Sequence, residues 1–385
     1  VCSSLALLSH QSSAFTLQMS AKQNKRRSGA MSRTRKNKAL DTNKGFGSTP
    51  APSKPPTPPL PTPSPTTTTV DDSATIYSKP ALYDLAFGYR NYEYEVQFLL
   101  SRHEKASGHP PRSILELAAG PARHSIEALT SQSSNNSVEH VTALDLSPEM
   151  RDYGEGLASD AGLTRDQFHY RLGDMRTFTP SVLTDEAADS DSDSAAAATR
   201  TYDSAWILLG SMAHLHTHGD IISTFNSVKE SLVDDGTLIV ELSHPQETFS
   251  MVECTRNSWE VPLDVNDDKT SKEGGAQGNG GTLSIVWGDE NDVFHPITQI
   301  RNFTVQFDLV MNGNGDDNDD TKSCQSVKDV VPMRLFTAQE LYALATCCGL
   351  EVVEMFGALD DEVEVWNAEE ETAFRLVCVM RKQTS

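Results

Sequence analysis

Residues 113–125 read SILELAAGPARHS and decide the expected fold. A short apolar run ends in a carboxylate, Glu116, and small residues then lead into a segment with the pattern of a helix. This order predicts a buried strand, a tight turn and a helix whose first backbone N–H groups are exposed. Small residues in such a turn let a ligand approach the backbone closely. An ordinary strand-to-helix turn has the same pattern, so other segments must decide between a ligand-binding turn and an ordinary one.

A second apolar run, residues 141–146 (VTALDL), contains the carboxylate Asp145 and is followed by a Ser-Pro-Glu typical of a helix start. An acidic residue after the second strand of a doubly wound sheet can accept hydrogen bonds from ribose hydroxyls. Glu116 and Asp145 are 29 positions apart, whereas about 20 is usual between such a loop and its acid. The polar run at 131–137 is predicted to form a loop, which accounts for the longer spacing.

Three further segments continue the alternation of strands and helices. Residues 168–178 (FHYRLGDMRTF) place Asp174 and Met175 after a third predicted strand. A carboxylate can bind the exocyclic amine of adenine there, and a methionine offers an apolar contact for the ring. Residues 202–209 (YDSAWILL) predict a fourth, buried strand, and residues 228–242 predict a helix, an Asp-Gly turn and a fifth strand.

This succession resembles the class I S-adenosylmethionine (SAM) dependent methyltransferases over residues 77–381, and the first loop reads E-x-A-x-G-x-A, a degenerate form of their acidic, glycine-rich loop. The resemblance implies an α/β fold with a doubly wound, Rossmann-like, seven-stranded sheet. Its last two strands, an antiparallel pair, are predicted at 350–357 and 373–380. The chain departs from the family pattern at Ala118 and Ala122, where glycine is usual.

A β-rich insert is predicted at 244–335, after strand five and before a helix at 338–348. Alternating polar and apolar residues predict antiparallel strands at 282–287, 297–307 and 327–335. An inserted antiparallel sheet at this point resembles the small-molecule branch of the family, which includes sugar and glycine-type N-methyltransferases. In that branch the insert helps to cover the substrate.

The resemblance implies SAM as the cofactor and implies a lid formed by the aromatic-rich segment 77–100. Tyr83 and Arg90 are the lid's candidates for binding the amino-acid carboxylate of SAM. Helices packed on the sheet edge are the alternative for this segment, and Arg123 either meets the same carboxylate or pairs with Glu127. The candidate cofactor residues are Tyr83, Arg90, Glu116, Ala118, Gly120, Arg123, Asp145, Leu146, Met150, Asp174, Met175, Leu209 and Gly210.

Histidines follow the fourth predicted strand, where ligands bind in doubly wound folds. Methyl transfer mainly needs alignment of the reactants and exclusion of water, so no strong catalytic motif is expected. An amine acceptor must lose a proton, and histidine suits that task. We therefore predict that His214 or His216 faces the substrate; a capping or core histidine is the alternative. With His218 the spacing also fits zinc, but without a fourth ligand nearby we expect no metal.

The leading function is a SAM-dependent methyltransferase that acts on nitrogen or oxygen of a small molecule. A catalytically inactive SAM-binding module is one alternative, because the loop carries two alanines. A NAD-dependent dehydrogenase is another, because an acid after strand two also binds the ribose of NAD. The chain has no complete G-x-G-x-x-G motif and no suitable Y-x-x-x-K pair. Strand four lacks an N/D-P-P-Y/F motif, which argues against adenine- or glutamine-modifying enzymes.

Charge is unevenly distributed along the chain. Residues 1–70 hold ten of the 32 Lys and Arg residues and one of the 54 Asp and Glu residues, so the remainder has a net charge of −31. A body this acidic is expected to bind neither nucleic acid nor anionic membranes. No apolar run reaches the length of a membrane-spanning helix. The expected partner is a small-molecule substrate, and the sequence makes no prediction of oligomeric state.

The N-terminal composition predicts three parts of the chain. Residues 1–47 are basic and rich in Ser, which predicts a disordered targeting segment, and residues 48–72 form a Pro- and Thr-rich linker. The methyltransferase domain is then expected at 73–385. The Ala14-Phe15 junction resembles the cleavage signature of plastid presequences, so a plastid is the expected location, with the cytoplasm as the alternative.

Overall fold

A computed structural model describes residues 75–131, 137–183, 200–245, 257–263, 280–311, 323–366 and 373–383. The predicted targeting segment and linker, 1–47 and 48–72, lie outside the described residues, and so does the predicted disorder of the N-terminus. The start of the methyltransferase domain at 73 therefore stays a prediction.

Helices and strands alternate through the first half of the described chain, and strands dominate the second half. The helices are α1 (Pro80–Phe87), α2 (Tyr92–Ser107), α3 (Arg123–Thr130), α4 (Pro148–Asp160), α5 (His218–Ser231) and α6 (Ala338–Cys347). The strands are β1 (Ser113–Leu117), β2 (His140–Asp145), β3 (Phe168–Leu172), β4 (Tyr202–Ile207), β5 (Leu232–Ser243), β6 (Asn257–Leu263), β7 (Gly281–Trp287), β8 (Phe294–His295), β9 (Ile300–Met311), β10 (Ser323–Arg334), β11 (Leu350–Phe356) and β12 (Arg375–Lys382). Short 3-10 helices lie at Ile76–Ser78, Pro180–Leu183 and Ser211–His214.

The main sheet has seven strands in the order β3-β2-β1-β4-β5-β12-β11. Strands β1 to β5 pair in parallel, and β12 is antiparallel to both β5 and β11. This confirms the predicted doubly wound, seven-stranded sheet with an antiparallel closing pair. The strand order reverses between β1 and β4, and ligands bind at such a point, beyond the carboxyl ends of the strands.

Both faces of the main sheet are buried, which explains why most of its strands are rich in apolar residues. Along β4, Ala205 and Ile207 belong to one core and Trp206 belongs to the other. The core around Trp206 also takes in residues of α2, α3 and α4, among them Leu99 and Ile126. The opposite core takes in residues of α5, α6 and the insert. None of the described helices is both long enough and apolar enough to span a membrane.

The insert forms a second, antiparallel sheet in the order β10-β9-β7-β6, with β8 paired to β9. This confirms the predicted antiparallel insert after strand five. The predicted start of a strand at residue 297 is wrong, because the chain turns at 295–299: the backbone N–H of Thr298 donates to the ring of His295, and Gln299 has a φ of 59°. Strand β9 begins only at Ile300.

Four of the described helices, α2, α4, α5 and α6, begin with side-chain caps. Thr217 and Asp220 form a capping box at the start of α5, which satisfies backbone N–H groups that lack a partner in the first turn. The side chain of Thr337 accepts a hydrogen bond from the backbone N–H of Glu340 and caps the start of α6. The cap of α5 fixes the point at which the chain leaves the His-containing turn after β4.

Candidate functional site

The turn between β1 and α3 is built on alternate residues in the left-handed region. Ala118, Gly120 and Ala122 have φ angles of 51°, 54° and 57°. Glycine takes this region freely, whereas alanine is less stable there by about 1–2 kcal/mol. A hydrogen bond from the N–H of Ala122 to the carbonyl of Ala119, 2.8 Å long, tightens the turn. The two alanines thus adopt a conformation that glycine takes more readily.

Asp145 lies at the end of β2 and binds the turn directly. Its Oδ2 accepts a hydrogen bond of 2.9 Å from the N–H of Gly120, and its Oδ1 accepts one of the same length from the N–H of Ser147. Burial raises the pKa of Asp145, and these backbone hydrogen bonds oppose that shift. The acid of the second strand is therefore attached to the loop of the first.

Glu116 is buried at the end of β1, with 3% of its surface exposed. Its carboxylate accepts hydrogen bonds from the N–H of Ser125, at 3.1 Å, and from the Ser125 hydroxyl. Burial raises the pKa of Glu116, His124 and Ser125 oppose that shift, and the charge of Asp145 adds to it. Because β1 and β2 are adjacent and parallel, the structure brings Glu116 and Asp145 to the same edge of the sheet.

A cleft opens at this edge, beyond the ends of β1 and β4. Helix α1 borders it, so part of the predicted lid segment lies beside the cleft. Six of the candidate cofactor residues line the cleft: Tyr83, Glu116, Ala118, Gly120, Arg123 and Leu209. The other lining residues are Asp84, Phe87, Tyr92, Ala119, Pro121, His124, Leu208 and Ser211.

Arg123 pairs across the cleft with Asp84 of α1 and not with Glu127. Its Nε donates to Asp84 Oδ1 at 2.7 Å, and its Nη2 donates to the other carboxylate oxygen. The hydroxyl of Tyr153 donates to the same carboxylate at 2.9 Å. Asp84 is 5% exposed, so this is a largely buried ion pair that holds α1 against the loop.

Arg90 has two carboxylate partners within the protein. Its Nε donates to Glu95 at 2.9 Å, and its Nη2 donates to both oxygens of Glu241 at 3.0 and 3.2 Å. Glu95 also contacts Nε2 of His124 at 2.8 Å. Arg90 therefore links the connection between α1 and α2 to strand β5. Its predicted contact with the carboxylate of SAM stays a prediction.

His214 ends the 3-10 helix that follows β4, and its Nε2 lies 3.1 Å from the hydroxyl of Tyr77. Burial lowers the pKa of His214, and His216 lowers it further. Burial also raises the pKa of Tyr77, with further contributions from Tyr83, Asp329 and Asp145. The contribution of Asp145 shows that the Tyr77 hydroxyl lies within electrostatic range of the carboxylate on β2.

The other two histidines of this turn contact the insert. Nε2 of His216 lies 3.0 Å from the carbonyl of Pro332 in β10. His218 lies beside Arg334 and Glu340, at 2.9 and 3.4 Å. In the described ranges, no group of three or more His, Cys, Asp or Glu residues is arranged to hold a metal ion.

Comparison with solved structures shows which fold the chain has. The chain is similar to a SAM-dependent methyltransferase from Clostridium acetobutylicum, at 13% identity over 80% of this chain and 100% of that one, with a TM-score of 0.55. The chain has the fold of SAM-dependent methyltransferases. No protein-family model and no curated protein matches it.

Two other structures with the methyltransferase fold carry more specific descriptions. One is SAM-bound CalS10 from Micromonospora echinaspora, an amino pentose methyltransferase, at 15% identity over 78% of this chain and 97% of that one, with a TM-score of 0.51. The other is the sugar N-methyltransferase KedS8 from a Streptoalloteichus species, at 16% identity over 83% and 98%, with a TM-score of 0.51.

Among the described residues, the other seven candidate cofactor residues do not line the cleft of this methyltransferase fold. Two of them, Arg90 and Asp145, are described above. Leu146 is 69% exposed beside Asp145, and Met150 is 2% exposed in α4. Asp174 is bound by the guanidinium and backbone N–H of Arg176, which lowers the pKa of the carboxyl group. Met175 packs against a core cluster, and Gly210 has a φ of 74°.

Three residues near the cleft of this methyltransferase fold were not predicted from the sequence: Glu95, His124 and Glu241. Glu241 had a detectable signal, because it is an acidic residue within the apolar run 237–242, TLIVEL. A carboxylate at such a position is buried and needs a partner. Glu95 and His124 carried no comparable signal, since each lies on a helix among other polar residues.

Proposed function

We propose that this protein is a SAM-dependent methyltransferase that transfers a methyl group to nitrogen or oxygen of a small molecule. The observation that carries the proposal is that Glu116 and Asp145 lie at one edge of the sheet. The loop of small residues that follows Glu116 has three residues in the left-handed region, and its Gly120 N–H donates to Asp145. The proteins of the same fold described as an amino pentose methyltransferase and a sugar N-methyltransferase support a small-molecule acceptor.

The residues at this edge fit the parts of SAM. A carboxylate has about four acceptor sites, and the N–H groups of Gly120, Leu146 and Ser147 take up to three of them at Asp145, which leaves capacity for a ribose hydroxyl. The exposed side chain of Leu146 offers apolar surface beside them for the adenine. The small residues of the loop admit the amino-acid end of the ligand near Glu116.

When bound, SAM supplies a methyl group already activated by its sulfonium. The protein's part is to align the acceptor and exclude water. His214 then accepts the proton that an amine or hydroxyl acceptor must release. Burial lowers the pKa of His214, so the imidazole is neutral near pH 7 and able to take a proton. The hydroxyl of Tyr77, 3.1 Å from Nε2, orients the ring.

Calorimetric titration with SAM and with NADH tests the cofactor. We expect heat of binding with SAM, and binding of NADH alone would contradict the proposal. Asp145→Ala should weaken SAM binding. Asp234→Ala is the matched control, because Asp234 lies at the amino end of β5 with its side chain 84% exposed; this variant should bind SAM as the wild type does.

Transfer of a tritiated methyl group from SAM into a small-molecule extract tests the reaction itself. We expect incorporation with the wild type and with Asp234→Ala, and little with Asp145→Ala. Tight SAM binding by the wild type without any incorporation would contradict the enzyme and favour an inactive SAM-binding module.

We also propose that the protein is directed to a plastid. The proposal stands on the composition of residues 1–47 and on the Ala14-Phe15 junction. A fusion of residues 1–72 to a fluorescent protein should be imported into plastids, whereas a fusion of residues 73–385 should not. Fluorescence of the first fusion in the cytoplasm alone would contradict it.

A further inference from the structure

Glu241 is a fully buried carboxylate on β5 that binds three other segments. Its Oε2 accepts a hydrogen bond of 2.8 Å from the N–H of Leu209, and its backbone carbonyl accepts one of 3.0 Å from the N–H of Gly210. The carboxylate also accepts a hydrogen bond from Nη2 of Arg90, and Nε of Arg375 lies 3.3 Å from Oε1. One residue therefore holds two successive backbone N–H groups after β4 and two guanidinium groups.

The backbone that Glu241 holds is strained. Leu209 and Gly210 have φ angles of 52° and 74°, so two successive residues lie in the left-handed region. A leucine persists there only where the surrounding structure fixes it. This loop leads directly into the Ser211–His214 helix, so its conformation sets the position of His214.

The same carboxylate fixes the lid segment. Arg90 lies between α1 and α2, and besides Glu241 it binds Glu95, which in turn contacts His124 in the cleft lining. Burial alone would raise the pKa of Glu241, but the charges of Arg90 and Arg375 and the backbone N–H of Leu209 lower it to about 2. The carboxylate is therefore ionised at neutral pH and keeps both guanidinium groups paired.

We propose that Glu241 is a positioning residue, which fixes the loop after β4 and the lid segment relative to each other. Through Leu209 and Arg90 it sets the affinity for the methyl donor and the placement of His214, and it lies outside the cleft lining of the described residues. The inference rests on the proposed methyltransferase function and deepens it, since it names a residue that acts through others.

Glu241→Gln is the first test, because glutamine keeps the shape and an acceptor for the N–H of Leu209 but removes the charge that holds Arg90. We expect kcat/KM for SAM to fall about tenfold to a hundredfold, the range expected when a reactant is misplaced by up to 1 Å. We also expect faster amide hydrogen exchange at 209–210 in the unliganded protein, measured by mass spectrometry.

Thr237→Val is the matched control on the same strand. Thr237 is fully buried in the middle of β5 and bonds His103 at 2.8 Å and Ser204 at 3.0 Å. Its loss should lower the unfolding temperature without changing KM for SAM or exchange at 209–210. If Glu241→Gln changes KM and local exchange no more than Thr237→Val does, Glu241 is merely structural and the inference is overturned.

A second variant covers the case in which Glu241→Gln does not fold. Arg90→Lys keeps a positive charge near Glu241 but loses the simultaneous contacts to two carboxylates, so KM for SAM should rise and exchange at 209–210 should increase. An unchanged KM and unchanged exchange would overturn the inference. If the wild type binds no SAM, the proposed function fails separately; exchange at 209–210 in Glu241→Gln still supports or overturns the positioning role.

Discussion

Replacing Ala118 with glycine should stabilise the protein, because the loop after β1 holds this alanine at a φ of 51°. The left-handed region costs a non-glycine residue about 1–2 kcal/mol. Glycine also lowers stability by about 0.4–1 kcal/mol, because it gives the unfolded chain greater conformational freedom. Ala118 is partly exposed, so little burial is lost. We expect the free energy of unfolding to rise by about 0.5–1 kcal/mol.

Ala122→Gly should behave differently, although Ala122 has nearly the same φ, 57°. This methyl group is fully buried, and its removal forfeits about 0.8 kcal/mol. The gain from released strain and the loss of burial nearly cancel, so the expected change is close to zero. Ala118→Gly should therefore exceed Ala122→Gly by about 0.8 kcal/mol.

Urea denaturation of the two variants measures both values, and SAM titration shows whether the loop keeps its shape. Ala128→Gly is the control, because Ala128 lies fully buried in α3, where glycine costs about 1 kcal/mol in helix propensity and about 0.8 kcal/mol in lost burial. SAM affinity should change less than about twofold in the two loop variants, a difference of about 0.4 kcal/mol. A loss of stability in Ala118→Gly like that of Ala128→Gly would refute the assignment of strain to this loop.

Two further predictions concern buried polar groups. Asp84→Asn removes the charge that Arg123 binds, so the free energy of unfolding in urea should fall by about 2–4 kcal/mol; a fall below about 0.5 kcal/mol would mean that the pair is worth no more than a surface ion pair. His103 has a pKa lowered to about 4 by burial, so the unfolded chain binds its proton more readily. Stability should therefore be lost as the pH falls from about 6.5 to about 4, by about 3 kcal/mol in total. His103→Gln should flatten this part of the urea stability profile, and identical profiles for the variant and the wild type would contradict the prediction.

The main sheet was predictable because its strands are buried on both faces. Runs such as 141–146 and 202–209 are mostly apolar, and β2 and β4 lie within them or overlap them closely. Strands β6 and β8 gave no such signal. Strand β6 lies at an edge with most of its residues partly or fully exposed, so burial does not impose a clear pattern on its sequence.

Ion-pair partners in the site were not predictable from local sequence. The sequence offered Glu127 as a partner for Arg123, because residues four apart in a helix are neighbours. The structure instead pairs Arg123 with Asp84, and Arg90 with Glu241, which is 151 positions away. Such partners are brought together by the packing of lid and sheet. The acids at the strand ends were predictable, since adjacent parallel strands end at the same edge.

A crystal structure of the protein with S-adenosylhomocysteine tests the central claim most directly. We expect the ribose hydroxyls within about 3 Å of the Asp145 carboxylate, with the amino-acid end of the ligand beside Gly120 and Glu116. A nucleoside bound elsewhere, or one whose ribose makes no contact with Asp145, would contradict the proposed site.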